Sequence, residues 1–247
     1  MKRVLFSLVF IVAASTVASA QAFTYYFPQI AIGGGWRTTI FLTNATASPA
    51  SATVTFTGND GGLFWNNFTD ENGNTVTGNG NFKFSLTLAS GETRRYVSVD
   101  DHPLGVGWAT VSANASILGT AMYTWLDGSG NIIAEAGVPM AIPLGKQAVF
   151  VDTTQGFRTA VSIANPNTGD LEVHFELVSD TGQIVNSTIK TLPGFTHIAL
   201  FTDELFPGMG PMVGRLQYYC TNPMVSVGLR FSPTGVFTSL PPIAIAN

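Results

Sequence analysis

Gly35-Trp36-Arg37-Thr38-Thr39-Ile40-Phe41-Leu42-Thr43-Asn44 returns later in the chain as Gly156-Phe157-Arg158-Thr159-Ala160-Val161-Ser162-Ile163-Ala164-Asn165. In both copies apolar residues alternate with small or hydroxylated ones. Side chains on a strand point to alternate faces, so a period of two describes a strand with one buried side. The offset between the copies is 121 residues, and the same offset lays Val54 and Phe56 over Phe175 and Leu177, and Gly61 over Gly182. It then falls to about 103, where Ser90-Gly91 meets Pro193-Gly194 and Asp100 meets Asp203. Further on it is 107: Gly107 matches Gly214, and Leu118, Thr120, Met122 and Thr124 overlie Val225, Val227, Leu229 and Phe231. Three registers in one order predict an internal duplication.

Working outward, the same alternation recurs at Ala52/Val54/Phe56, Ala109/Val111, Val173/Phe175/Leu177 and Leu216/Tyr218. Turn signals punctuate it: Asn59-Asp60-Gly61, Asn72-Gly73, Ser90-Gly91, Asp127-Gly128-Ser129-Gly130 and Asp180-Thr181-Gly182. Short strands at such spacing predict an all-β fold, two tandem antiparallel β-sandwich domains related by internal duplication. The expected boundaries are a leader at 1–20, a first unit at 21–145 and a second at 146–247, with Leu144-Gly145-Lys146 as the junction. Only Asp203-Glu204-Leu205-Phe206 suggests a helical turn.

Phe27-Pro28, the Gly-Trp-Arg-Thr strand ending in Asn44, its copy ending in Asn165, Leu229-Arg230-Phe231 and Leu240-Pro241 together resemble tandem, immunoglobulin-like β-sandwich repeat modules of secreted bacterial proteins. The likeness spans nearly all of the chain after the leader. It implies a fold, and no activity or catalytic residue.

The first twenty residues place Lys2 and Arg3 before the apolar stretch Val4 to Ala14 and end in Ala18-Ser19-Ala20. This order is that of a cleaved signal peptide, and the expected destination is the periplasm or the extracellular space. No later stretch reaches about 18 uninterrupted apolar residues, so no membrane span is expected in the mature chain. Removing Lys2 and Arg3 from the 11 basic residues leaves nine against 15 acidic, a formal charge of −6. A phosphate backbone needs a basic face, so nucleic acid is not an expected partner. Charged residues make up 11% of the chain, against a usual share of about 25%, so Thr, Ser, Asn and Gly must supply the polar surface. Cys220 is the single cysteine, which leaves stability to packing and makes a buried, inert thiol the expectation.

No constellation predicts catalysis, and neither a cofactor nor a metal is expected. His102, His174 and His197 are scattered, no Gly-x-Ser-x-Gly elbow accompanies them, and His174 is expected to face solvent. One cysteine and three dispersed histidines do not make a tetrahedral metal site. Asp70-Glu71-Asn72-Gly73-Asn74 and Asp127-Gly128-Ser129-Gly130-Asn131 carry alternate oxygens, but they lack the calcium-loop glycine and read as hairpin turns. Glu92, Glu135, Glu172 and Glu176 share no motif of paired acids. Arg37 and Arg158, preserved at one repeat position, are expected to be structural. Asn44, Asn67, Asn114 and Asn186 each open a glycosylation sequon.

The first unit exceeds the second by about 18 residues, lying near 62–82. This insertion carries Phe64-Trp65-Asn66-Asn67-Phe68, and aromatic rings beside amides suit sugar stacking or protein anchoring. These five residues are the candidate ligand contacts, with an additional structural hairpin as the competing reading. The functional expectation is a non-enzymatic structural or adhesive module pair contacting a protein or a cell-surface glycan. The alternatives are a carbohydrate-binding module and, behind it, a secreted hydrolase.

Overall fold

The computed structural model describes residues 22–76, 82–99 and 102–245. The leader expected at 1–20 lies outside them, as do residues 77–81 of the insertion and Asp100-Asp101. In chain order the strands are β1 (Phe23–Ile32), β2 (Trp36–Thr43), β3 (Ala50–Gly58), β4 (Phe68–Thr69), β5 (Lys83–Leu88), β6 (Thr93–Ser98), β7 (Gly105–Ala113), β8 (Leu118–Leu126) and β9 (Ile132–Pro139). The series continues with β10 (Leu144–Asp152), β11 (Arg158–Ala164), β12 (Leu171–Ser179), β13 (Ile184–Leu192), β14 (His197–Phe201), β15 (Val213–Phe231), β16 (Phe237–Leu240) and β17 (Ile243–Ala244). Between β14 and β15 lies α1 (Thr202–Leu205), a single turn where the sequence suggests one.

The fold is all-β, an assembly of antiparallel sheets of which none closes into a barrel. In the first half β1-β7-β3-β5 form one sheet and β4-β6-β2-β8-β9 the other. In the second half the long strand β15 serves both layers. Its first part pairs with β10 and β12, and Val225 to Phe231 pair with β11. Alternation decides which side chains enter the space between the layers. Val54 and Phe56 of β3, Val111 of β7 and Ile40 and Leu42 of β2 are buried, while Thr53 and Thr55 between them face outward. Burying each such aliphatic or aromatic side chain stabilises the fold by about 1.5–3 kcal/mol.

The pairings of the second half follow those of the first. Val54 opposite Val111 becomes Phe175 opposite Tyr218, and Ile40 opposite Ala121 becomes Val161 opposite Gly228. Gly61 and Gly182 both take left-handed backbone (φ 82° and 84°) in equivalent turns, donating to Gly58 and Ser179. Asn44 and Asn165 act as matched plugs. Each is fully buried, and each Nδ2 reaches three carbonyls, those of Ser48, Leu88 and Ala89 or of Gly169, Leu192 and Pro193. A glycan on Asn44 is incompatible with this arrangement, because its amide nitrogen is committed inside the fold.

Two details depart from the sequence reading. The middle offset is 104 rather than 103: Ala50 opposite Leu88 corresponds to Leu171 opposite Leu192. The left-handed position of Gly91 (φ 73°) is accordingly filled by Phe195 (φ 61°), and not by Gly194. In addition, β1 carries a bulge that β10 lacks. Between Phe27 and Ile30 its register against β7 slips, whereas β10 runs evenly through the corresponding Val149 and Phe150.

The halves keep distinct cores, but residues of the second reach into that of the first. The core of the first half includes Val227 and Phe237 from the second, and the Phe237 ring packs on Trp36 at 5.1 Å between centroids. Ser239 on β16 donates to the Gly137 carbonyl on β9. Trp108, Ala164 and Val225 form a further small cluster across the seam.

Candidate functional site

The insertion divides along its own alternation. Leu63 and Trp65 point outward, at 54% and 57% exposure, whereas Phe64, Asn66 and Phe68 turn inward and are buried. Phe68 stacks on Phe56 at 4.9 Å, and β4 extends the sheet by pairing Phe68 with Ser98 of β6. Asn66 donates to the Phe64 carbonyl. Three of the five expected contacts, Phe64, Asn66 and Phe68, are thus structural. They hold a hairpin onto the core, because a strand added to a sheet must bury one face. Trp65 remains available, with Asn67 half-buried behind it, and its ring meets that of Phe82 edge-on at 6.1 Å. Lys83 Nζ lies over the Phe82 ring at 5.4 Å, so the patch pairs aromatic surface with one cation.

The other chemistry-bearing residues expected from sequence are dispersed, save that His174 Nε2 lies 3.1 Å from Glu172 Oε1. His102 Nδ1 is 2.7 Å from the Pro103 carbonyl oxygen, beside Gly33. His174 is half-exposed and stacks flat on Tyr219 at 5.0 Å. Asp70 and Asp127 spend their carboxylates on their own turns. The first accepts from the Asn74 side-chain amide and the backbone of Asn74 and Asn72, the second from the Asn131 side-chain amide and the backbone of Asn131 and Ser129, and these bonds hold both carboxyls below their ordinary range. Glu92 accepts from Ala89 and Arg94, Glu135 from Thr124, and Glu176 from Gln217 and Tyr219. Arg158 grips Asp203 through two hydrogen bonds of 3.0 and 2.8 Å and covers the Phe201 ring. Arg37 takes the equivalent register position opposite Thr124, and Asp100, which the sequence pairs with Asp203, lies outside the described residues. Burial pushes the Cys220 thiol up to about 11, which keeps it protonated and unreactive at neutral pH.

The arrangement not anticipated from sequence lies in the seam. His197, 2% exposed, begins β14, next to Ser162 on β11. Its Nε2 is 2.7 Å from Ser162 Oγ, and its Nδ1 is 2.7 Å from the side-chain amide of Asn59 in the first half. Ser162 Oγ donates to the Pro28 carbonyl at 2.8 Å, and the His197 backbone N–H donates to the Asn59 carbonyl. Pro28 lies in the β1 bulge, whose slipped register frees that carbonyl from the ladder. Trp108 Nε1 donates to the carbonyl of the left-handed Phe195, a second tie across the halves.

A serine, a histidine and an amide in a row suggest a nucleophile, but the geometry serves cohesion. The serine hydroxyl is buried and shared between the Pro28 carbonyl and the imidazole. Desolvation drives the His197 pKa down to about 4, against the opposing pull of the Pro28 carbonyl, which makes the ring a poor general base. A signal for this site does exist in the sequence. Under the register of the fold Ser162 replaces Phe41 and His197 replaces Thr93, two neighbouring outward positions of the first half. Outward positions of β11 and β14 become polar and buried together because β1 packs over them.

No family model and no curated protein sequence matches the chain.

Proposed function

We propose that the chain is a secreted, non-enzymatic pair of contact modules, structural or adhesive in role, with Trp65 as an anchor. The supporting observation is the contrast within the insertion. Phe64 and Phe68 are packed into the core so that Trp65, at 57% exposure, is held outward on a fixed support. A large indole kept in water at a rigid position is the usual anatomy of a contact hot spot. Export would proceed through the leader at residues 1–20, and N-terminal sequencing of released protein should then begin at Gln21.

A carbohydrate partner is the second reading, favoured by the edge-on Trp65–Phe82 pair with Asn67 nearby. Adhesion of the labelled protein to whole cells of the producing organism separates the two. Loss of adhesion after protease treatment identifies a protein partner; loss after periodate treatment identifies a glycan. Trp65→Ala should weaken adhesion in either case. Full adhesion by that variant, with its fold intact, would refute Trp65 as the anchor.

A further inference from the structure

A sheet edge offers unpaired main-chain groups to any other strand, and folded proteins blunt their edges by shortness, charge, proline or cover. Most edges of this fold are blunted. β4 and β17 have two residues each, and β16 has four. On the far side of β1, Tyr26 exchanges both main-chain hydrogen bonds with Ala141. β16 packs along β9, where Ser239 holds the Gly137 carbonyl. β14 has five residues and runs straight into α1. β5, the counterpart of β13 in the first half, has six and keeps Lys83 exposed.

β13 is left open. It has nine residues and ends its sheet, with no strand on its far side among the described residues. Its one register slip lies near its start, so Asn186 to Leu192 pair evenly with β12. Lys190 is its single charge, and Pro193 comes only after its end. Ile184, Val185 and Ile189 are more than half exposed, and Ser85 fills the position of Ile189 in the first half. The Ser187 N–H donates to the Asn186 side-chain oxygen and not to β12. Main-chain groups alternate in direction along a strand, so those of Ser187, Ile189 and Thr191 all point away from β12.

We propose that β13 is the interface of a homodimer, in which two copies of this chain pair antiparallel through this strand about a two-fold axis at Ile189. The edge is complementary to itself in that register. Ile189 meets its equivalent, and Ser187 meets Thr191 of the second copy, each pair exchanging both main-chain hydrogen bonds. The Thr191 carbonyl of the second copy takes over the Ser187 N–H from Asn186. Lys190 stands opposite Thr188, and the central aliphatic pair adds its own attraction. Other centres fail. An axis at Lys190 would oppose two lysines and set Pro193, which has no N–H, against Ser187. An axis at Ser187 or Thr188 would draw the slipped segment at Val185 into the ladder. The contact is isologous, so it closes at two copies. A single strand pair is a small interface, which places the dimer in the weak, transient class. The pairing leaves Trp65 untouched and does not depend on the contact role proposed above.

Sedimentation of the intact chain from about 10 μM to about 1 mM tests this, since weak dimers dissociate within that range. Monomer and dimer should exchange with concentration, and no larger species should form. Ile189→Lys sets like charges opposite each other at the axis and should raise the dissociation constant about tenfold or more. Its circular dichroism should match the native chain, because the replaced side chain is exposed. Ile189→Glu should weaken the dimer in the same way, and mixing the two variants should restore association. Thr191→Pro removes one outward N–H without touching the ladder to β12, and it too should weaken pairing. A native chain that stays monomeric at about 1 mM, or that grows beyond two copies, would overturn the proposal. So would native affinity in Ile189→Lys or Thr191→Pro, or a mixture of the charge variants that associates no better than either alone.

Discussion

At the residue scale the largest energetic consequences belong to side chains that serve backbone. Asn165 satisfies three carbonyls in an interior position, and alanine there would leave them without a donor. Unpaired buried carbonyls cost about 1–3 kcal/mol each, so Asn165→Ala should lower the unfolding free energy by about 3 kcal/mol in a urea titration. Asn165→Asp should do no better, because a carboxylate cannot donate. Gln29 is the opposite case. Gln29→Met removes an oxygen that has no partner among the described residues, and it should leave stability unchanged or raise it by up to about 1 kcal/mol, visible as a higher melting temperature. Asn44 and Asn165 stand out in the sequence as endings of the duplicated strand. Gln29 does not, because nothing in local pattern reveals a polar side chain without a partner.

Among elements, the insertion is the clearest case of one sequence pattern serving two ends. Phe68→Ala empties a fully buried ring site between Phe56 and Phe84 and should cost about 3–5 kcal/mol in a denaturation curve. Trp65→Ala truncates a mostly exposed ring and should change stability by less than about 1 kcal/mol in the same measurement. A loss near that of Phe68→Ala would mean that the indole supports the fold instead of presenting a surface. The strands themselves were readable, since Val54, Phe56 and their copies alternate cleanly. The division within Phe64-Trp65-Asn66-Asn67-Phe68 was latent in the same period of two. Its phase was set only by Phe68 pairing with β6, a long-range contact. The β1 bulge was unreadable for a related reason, because Pro28-Gln29 could as well have continued the strand. The register near residue 195 differs by one from the alignment by residue type, because Gly194 pairs with Gly91 in sequence while Phe195 takes the left-handed conformation in the fold.

For the whole molecule the seam governs the response to acid. His197 is neutral and dry in the fold, with a pKa of about 4, against about 6.5 in the unfolded chain. Below pH 6.5 the unfolded chain gains a proton that the folded chain refuses, so stability falls as the pH drops. The loss is complete only below pH 4, where both states are protonated, and it amounts to about 3 kcal/mol. Urea midpoints measured between pH 7 and 4 should decline through this window. His197→Gln should flatten the decline, leaving only the later loss from carboxylates such as Asp152, which Thr154 and Arg230 hold below the ordinary range. The sequence predicted two sandwiches but not their union, for a repeat describes each copy and is silent about how copies meet. That union has a consequence in time. Val227 and Phe237 complete the core of the first half, so this half cannot mature when its own strands have been synthesised. It must wait, with Trp36 uncovered, until the ribosome has added the segment that packs on it.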